Sequence, residues 1–244
     1  MNISNQTVLI TGGGSGIGLA IAHSLLEAGN RIVLVGRNEA KLRKAAELVP
    51  GVATIVADIT NADDVARLVQ RVQAEFPDLS VLVNNAGQAS AYQLVAGANA
   101  FEKASAEMNT NYLAPIRLTE MLLPVLSQQP TAAIINVTSI VAYVPSAGAP
   151  TYSASKAAVH AYTQALRHTL KPTNIRVVEL LPPLVNTEFS AEIGGANGIP
   201  PQQVAEELLA GLANGDDEIK VGQTAQLYEL ERASRADAFA LMNS

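Results

Sequence analysis

The chain contains no cysteine among its 244 residues. That absence excludes a disulfide, a thiolate nucleophile and a zinc–thiolate site. Its three histidines, His23, His160 and His168, are scattered and do not have metal-ligand spacing. The composition therefore predicts an activity that needs neither cysteine chemistry nor a bound metal.

The chain also lacks long runs of basic residues and long runs of apolar residues. No basic run of five or more residues occurs, and the net charge is −6, so nothing predicts nucleic-acid binding. No apolar run approaches the roughly 18 residues of a membrane span. The first residues lack the charged and then apolar pattern of a secretory signal. We therefore expect a cytoplasmic protein with no nucleic-acid or membrane partner.

What the chain does have is a regular alternation of two kinds of segment. Short apolar runs, such as 8–10 and 31–35, alternate with helix-length amphipathic segments from end to end. Continuous apolar runs are typical of strands buried on both faces of a parallel sheet. The alternation predicts one doubly wound α/β domain over 1–244, a Rossmann fold with a parallel sheet of about seven strands and helices on both faces.

One segment, 190–201, interrupts this alternation with three glycines just after a predicted strand. It is interpreted either as a flexible substrate loop or as an ordinary surface connection. The sequence does not decide between them.

A glycine-rich turn, T-G-G-G-S-G-I-G at 11–18, lies between the first predicted strand and helix. Glycines let the backbone approach a pyrophosphate, and the helix N-terminus offers free N–H groups. The turn has no Lys-Ser/Thr pair, which disfavours a nucleotide hydrolase. In this context phosphate binding is favoured over a simple turn.

The end of the second predicted strand indicates which dinucleotide binds. A carboxylate there would hold the ribose hydroxyls of NAD, but this chain has Gly36 followed by Arg37. A guanidinium can pair with a 2′-phosphate. We predict that NADP(H) is preferred and NAD(H) is possible, although Arg37 as a solvated loop residue is the alternative.

Ser139, Tyr152 and Lys156 are separated by thirteen and then four positions. Residues four apart share a helix face, so Tyr152 and Lys156 are expected to point the same way. An ammonium favours a neighbouring phenolate, so we expect the pKa of Tyr152 to fall below its usual value of about 10. Such a phenol can exchange protons near neutral pH, and Ser139 can polarise a carbonyl. By itself this spacing also occurs by chance in many helices.

Together these features resemble the classical branch of the short-chain dehydrogenase/reductase family, across essentially the whole chain. The motifs are T-G-x-x-x-G-x-G at 11–18, N-N-A-G at 84–87, and the catalytic set Asn111, Ser139, Tyr152 and Lys156. One departure is Pro182-Pro183, where the family often has Pro-Gly. The second proline fixes φ and removes an N–H, which affects the loop beside the nicotinamide.

The resemblance implies an NADP(H)-dependent oxidoreductase that transfers a hydride between nicotinamide and a carbonyl or secondary alcohol. It places Asp58 and Ile59 at the adenine and Lys156 on the nicotinamide ribose. The implied cofactor residues are Gly12, Ser15, Gly16, Ile17, Gly18, Arg37, Asp58, Ile59, Asn85, Ala86, Gly87, Tyr152, Lys156, Pro182, Val185 and Thr187. A non-catalytic NADP(H)-binding sensor or scaffold on the same fold is the alternative.

Asn111 has two interpretations, because Pro115 follows it by four residues. A proline inside a helix would free the Asn111 carbonyl to accept from a water, which the family uses in a proton relay to the lysine. Alternatively, Pro115 lies in the first turn of a helix that Asn111 caps.

The substrate and the assembly are predicted only in outline. Segments 88–98 and 141–149 and the loop after Thr187 are expected to line the pocket, and their small or apolar residues favour a neutral, mostly apolar substrate. Alanines on the Tyr152 helix suit either a homodimer or homotetramer interface, or packing on the chain's own sheet. The tail 223–244 is interpreted as a possible helix against a neighbouring subunit.

Overall fold

The computed structural model describes residues 4–244, so the first three residues of the predicted 1–244 domain lie outside the described part. The described residues contain one parallel sheet in the strand order β3-β2-β1-β4-β5-β6-β7. Its strands are β1 Thr7–Thr11, β2 Arg31–Gly36, β3 Ala53–Val56, β4 Leu79–Asn84, β5 Ala132–Val137, β6 Ile175–Leu181 and β7 Glu218–Lys220.

Helices connect these strands and cover both faces of the sheet. They are α1 Gly16–Glu27, α2 Glu39–Leu48, α3 Ala62–Glu75, α4 Ala100–Met108, α5 Ala114–Leu126, α6 Pro150–Leu170, α7 Pro201–Asn214, α8 Gln223–Ala233 and α9 Arg235–Met242. Asn38 caps the start of α2 by accepting from the Lys41 N–H, and Asn61 caps the start of α3 by accepting from two of its N–H groups.

The sheet separates two apolar cores, which is why its strands are apolar on both faces. Alternate strand residues such as Val8 and Ile10 pack with α1 and α7, whereas Leu9 and Leu82 pack with α3 and α5. The predicted single doubly wound α/β domain is confirmed. The strand order reverses between β1 and β4, and ligands of such sheets bind at the carboxyl ends of the strands there.

Two segments near that edge have more structure than the sequence indicated. Segment 190–201 contains short 3-10 turns, and Val185 pairs with Ile199 across it. Its mobility stays a prediction. The tail forms α8 and α9, and it packs on its own chain through Leu227 and Ala238, which contact Ile140 and Val144.

Candidate active site

A cleft of about 1160 Å³ opens at the carboxyl ends of the strands. Its wall contains Ser139 and every predicted cofactor residue except Gly18, namely Gly12, Ser15, Gly16, Ile17, Arg37, Asp58, Ile59, Asn85, Ala86, Gly87, Tyr152, Lys156, Pro182, Val185 and Thr187. The fold thus brings residues from distant parts of the sequence to one continuous surface.

The glycine-rich turn is held against the end of β4. The Thr11 hydroxyl accepts from the Asn85 and Ala86 N–H groups at 3.0 and 3.1 Å, and the Asn85 amide donates to the Thr11 carbonyl at 2.9 Å. Gly12 has φ +66°, and a Cβ there would lie 2.9 Å from the Ala86 Cα. The turn therefore requires glycine at this position to approach β4.

Gly18 lies behind the cleft wall, where it is packed against the glycine-rich turn. A Cβ on Gly18 would lie 2.6 Å from the Gly12 carbonyl oxygen and 2.5 Å from the Asn85 amide nitrogen. Its missing side chain allows α1 to pack closely against the turn. Gly18 thus shapes the cleft without lining it.

The N-terminus of α1 opens into the cleft beside the loop after β6. In the described structure the Ser15 side chain makes no capping hydrogen bond, so it leaves the first N–H groups of α1 without that acceptor. A Cβ on Gly16 would lie 3.2 Å from the Thr187 Cγ2. Free N–H groups and the positive end of the helix dipole form a site suited to a phosphate.

Arg37 and Asp58 mark the opposite end of the cleft. Asp58 accepts from the Thr60 hydroxyl at 2.7 Å and from the Thr60 N–H at 2.9 Å. These bonds, with a smaller contribution from the Arg37 charge, hold the pKa of Asp58 below its usual value despite partial burial. Arg37 itself is exposed at the end of β2, where it can reach a bound anion.

Tyr152 and Lys156 lie together on the face of α6 that lines the cleft. The Lys156 ammonium is 5.7 Å from the centre of the Tyr152 ring and donates to the Val137 carbonyl at 2.8 Å. Ser139 follows β5 directly, and its hydroxyl makes a hydrogen bond with the Tyr152 phenol. The structure therefore brings the three side chains together.

The pKa of Tyr152 corrects the expectation from sequence. Burial raises the pKa of the phenol above 10, the Ser139 hydrogen bond opposes the rise, and the Glu107 charge adds to it. Burial also lowers the pKa of Lys156 to about 8, against the opposing charge of Glu179. The predicted lowering of the Tyr152 pKa is wrong for this structure, because burial of the phenol outweighs the hydrogen bond from Ser139.

Asn111 lies in a π-helical turn, Asn109–Leu113, which joins α4 to α5. Its amide donates to the Gln88 carbonyl and the Ser155 hydroxyl, both at 2.8 Å, and accepts from the Gln88 N–H at 2.7 Å. Pro115 lies within a continuous helical run, because Leu113 and Ala114 keep α-helical backbone angles between the π-turn and α5. Asn111 therefore does not cap the start of a helix, and the capping alternative is wrong. π-turns inside helices are frequent at functional sites.

Asn111 also lies close to Lys156. A Cβ on Gly87 would lie 3.4 Å from the Asn111 side-chain oxygen and 3.9 Å from the Lys156 nitrogen. Asn111 itself is buried behind the cleft wall. The structure thus places the fourth predicted catalytic residue beside the lysine.

The sequence did not reveal two buried carboxylates near these groups. Glu107 accepts from the Ser90 N–H at 2.7 Å, and its second oxygen has no hydrogen-bond partner among the described residues. Glu179 on β6 accepts from Thr138 and His160. In the sequence each is one acidic residue in an ordinary helix or strand, and only the burial distinguishes them.

The C-terminal tail contributes a wall that the sequence analysis also missed. Of the predicted pocket segments, Gln88, Ala91 and Val141 do line the cleft. From the tail, Gln223, Gln226, Leu227, Leu230, Leu241 and Met242 line it as well. Their signal in the sequence is weak, because apolar residues in a mixed tail equally suit an interface with another subunit.

Within residues 4–244, no group of three or more His, Cys, Asp or Glu side chains could hold a metal ion. None of the helices described there is long and apolar enough to span a membrane.

The fold and the cleft define a Rossmann-type oxidoreductase with a tyrosine–lysine pair. The family profile described as "short chain dehydrogenase" matches residues 6–197, and the chain belongs to that family. The predicted family is therefore confirmed. The protein is an NAD(P)-dependent oxidoreductase that acts on CH–OH or C=O groups.

Individual relatives agree with this assignment. The chain is 36% identical over 249 aligned positions to "Uncharacterized oxidoreductase DltE" of Bacillus subtilis, covering 100% of this chain and 99% of that protein. A short chain dehydrogenase from Burkholderia cenocepacia, solved in complex with NADP, has TM-score 0.88, 31% identity and full coverage of both chains. One from Burkholderia phymatum, solved with NAD, has TM-score 0.87 at 20% identity, covers 100% of this chain and 97% of that chain, and shows the fold alone.

Proposed function

We propose that this protein is an NADP(H)-dependent reductase or dehydrogenase for small, mostly apolar carbonyl compounds or secondary alcohols. The observation that carries the proposal is the convergence of Ser139, Tyr152 and Lys156 at a cleft that also contains the glycine-rich turn and Arg37. One end is suited to a nucleotide, and the other can exchange a proton with a substrate oxygen.

The residues present fit a nicotinamide dinucleotide. The close approaches at Gly12 and Gly16 form a cradle that side chains would fill, and the start of α1 offers N–H groups to phosphates. Lys156 uses one of its three N–H donors on the Val137 carbonyl, which leaves two for ribose hydroxyls. When bound, the cofactor supplies or accepts the hydride.

The protein's own groups handle the proton and the charge. In the reducing direction, Ser139 donates a hydrogen bond to the carbonyl oxygen as it becomes negative, and Tyr152 delivers the proton. The raised pKa keeps the Tyr152 phenol protonated at neutral pH, which suits a proton donor. Asn111, held beside Lys156, is proposed to support the return of a proton to Tyr152.

The preference for NADP(H) depends on the end of β2. Gly36 presents no carboxylate to repel a 2′-phosphate, and the exposed Arg37 lines the cleft beside it. The B. cenocepacia relative, 31% identical, was solved with NADP. Both facts support a phosphate-binding role for Arg37.

An assay of NADPH oxidation against a panel of aldehydes and ketones tests the proposal. Turnover of at least one apolar carbonyl compound is the expected result. NADPH binding without turnover on the whole panel would instead indicate the sensor or scaffold that the sequence left as an alternative.

The substrate end of the cleft is apolar. The tail residues Leu227, Leu230, Leu241 and Met242 line it, and Asn243 ties the tail to the chain by accepting from the Ala147 N–H and donating to the Pro145 carbonyl at 3.1 Å. Of the charged lining residues, Arg37 and Asp58 lie at the nucleotide end and Lys156 lies beside Tyr152. We therefore assign the tail to recognition of the substrate's apolar part.

Leu241→Asp tests this assignment. For straight-chain aldehydes of increasing length, we expect kcat/KM of the long members to fall about tenfold, because a buried methylene contributes about 0.8 kcal/mol. The shortest aldehyde should change little. Phe239→Asp is the matched control, since Phe239 is exposed on α9 like Leu241 but is not among the lining residues. Equal losses at every chain length would remove the tail from substrate recognition.

The alanines of α6 support the proposed homodimer or homotetramer. Ala154, Ala157, Ala161 and Ala165 are all exposed at helical spacing, so they do not pack on the chain's own sheet. Small residues let two helices approach closely.

Ala161→Arg is therefore expected to reduce the mass in solution toward the 25.5 kDa of one chain. Light scattering coupled to gel filtration measures it. Ala40→Arg, at an exposed alanine of α2, is the control and should leave the mass of the assembly unchanged. A wild-type mass of 25.5 kDa at micromolar concentration would contradict the proposed assembly.

A further inference from the structure

A buried acidic residue lies in the strand next to the Lys156 contact. Glu179 on β6 is fully buried. One of its oxygens accepts from the Thr138 hydroxyl at 2.6 Å, and the His160 Nδ1 lies 3.0 and 2.9 Å from its two oxygens. The side chain thus faces hydrogen-bond donors from a neighbouring strand and from α6.

These contacts give both oxygens of the Glu179 carboxylate a polar neighbour. The oxygen that accepts from Thr138 also faces His160, and the second oxygen faces the same ring nitrogen. When the His160 Nδ1 carries its proton, it can donate to the carboxylate, which accepts at both oxygens in its ionised form. A charge buried this completely needs a nearby cation, because its desolvation cost is large.

Two basic groups of α6 can supply that charge, His160 in direct contact with Glu179 and Lys156 one helical turn before it. Glu179 pairs in register with Asn136, one residue before Val137, whose carbonyl binds the Lys156 ammonium. His160 lies one helical turn after Lys156 on α6, so both project toward the same part of the sheet. The negative charge of Glu179 also raises the pKa of Lys156 against the effect of burial.

We propose that Glu179 is the buried counter-ion that keeps the Lys156 ammonium charged. Protonation of His160 weakens the effect of Glu179 on that ammonium. This assignment depends on the proposed function only in giving Lys156 a catalytic role. Glu179 and His160 are positioning residues, since neither is placed on substrate or cofactor.

His160 connects the pair to the surface. Its second ring nitrogen lies 3.0 Å from the amide of the exposed Gln164, and its side chain is 16% exposed. The hydrogen bond to Glu179 raises the pKa of His160 against the effect of burial, with further contributions from the charges of Glu179 and Glu218 and a smaller opposing one from Arg167. When His160 is protonated, its positive charge partly neutralises the Glu179 carboxylate. When His160 is neutral, the negative charge of Glu179 acts mainly on Lys156.

Other ionisable groups face this cluster and enter the pH dependence. Tyr143 packs on the His160 ring at 5.0 Å and donates to Glu218 at 3.2 Å. Tyr152 and Glu107 lie on the cleft side of Lys156, where the charge of Glu107 acts on Tyr152. Glu179 supplies the negative charge that raises the pKa of Lys156, so removal of this carboxylate is expected to lower that pKa.

The experiment measures the pKa of Lys156 directly. The chain has six lysines, so a protein labelled with ¹³Cε-lysine gives a small set of NMR signals, and Lys156→Ala assigns the one of interest. We expect Glu179→Gln to lower the pKa of Lys156 by about one unit or more, because an opposite charge is lost. Glu218→Gln is the matched control, because it removes a carboxylate whose charge acts on His160. It should lower the pKa of Lys156 much less than Glu179→Gln does.

Equal Lys156 pKa values in wild type and Glu179→Gln would overturn the proposal, as would an equal shift in Glu218→Gln. If Glu179→Gln does not fold, the double variant His160→Leu/Glu179→Met removes both partners of the buried pair. Folded proteins tolerate the loss of both partners better than the loss of one, because no unpaired charge stays buried. The double variant should give the same downward shift, and an unchanged value would again overturn the proposal. The titration needs no turnover, so its failure is separate from a failure to find a substrate.

Discussion

Tyr152→Phe is expected to lower kcat by about 10²- to 10⁴-fold, the usual contribution of a positioned general acid. The variant removes one oxygen atom and keeps the ring that lies 6.1 Å from Phe189. Without the phenol, Ser139 can still polarise the carbonyl, but no group at that point delivers a proton. Stopped-flow measurement of NADPH oxidation, with a separate fluorescence titration of NADPH binding, distinguishes chemistry from binding.

The cofactor Kd of Tyr152→Phe is expected to change little, since the proposed phosphate and ribose contacts involve the glycine-rich turn and Lys156, which line the cleft. Tyr162→Phe is a suitable control, because it removes a half-buried phenol from the same helix outside the cleft wall. A parallel loss of binding and turnover in Tyr152→Phe would mean that Tyr152 is structural.

Arg37→Ala is expected to weaken NADPH binding by about 10- to 100-fold, the equivalent of a charge-assisted hydrogen-bonded pair of about 1.5–3 kcal/mol. NADH lacks the 2′-phosphate, so its Kd should change little. Isothermal titration or fluorescence with both cofactors gives the ratio of the NADPH Kd to the NADH Kd. The loss of NADPH affinity in Arg37→Ala should diminish at high salt.

Arg43→Ala provides the comparison for Arg37→Ala. Arg43 is an exposed arginine on α2 that does not line the cleft, so it controls for a general loss of positive charge. An unchanged NADPH-to-NADH ratio in Arg37→Ala would remove Arg37 from the phosphate site and leave it as a solvated loop residue.

Much of the architecture could be predicted because local patterns carry it. Continuous apolar runs predicted strands with two covered faces, and five of the seven strands in the described residues, β1, β2, β4, β5 and β6, are buried along most of their length. The edge strands β3 and β7 are only partly buried. The helix period alone placed Tyr152 and Lys156 on one face, and the structure has them so. Asn38 and Asn61 marked helix starts through their short polar side chains, which accept hydrogen bonds from backbone N–H groups.

Electrostatic quantities could not be predicted in the same way. A pKa depends on how much water surrounds a group, and that follows from packing between segments distant in sequence. Tyr152 shows the consequence, since its lysine neighbour was visible in the sequence but its burial was not. Glu107 and Glu179 were missed for the same reason, because the sequence does not distinguish a buried glutamate from an exposed one.

The sequence by itself determined the order of strands and helices, the glycine turn and the spacing of the catalytic set, since each depends on neighbours within a few residues. Only the tertiary structure decided which charges face Lys156, how the tail closes the apolar end of the cleft, and that burial sets the protonation of Tyr152. These features arise where β5, β6, α4, α6 and the C-terminal helices meet, and contacts across such distances in sequence form only when the chain has folded.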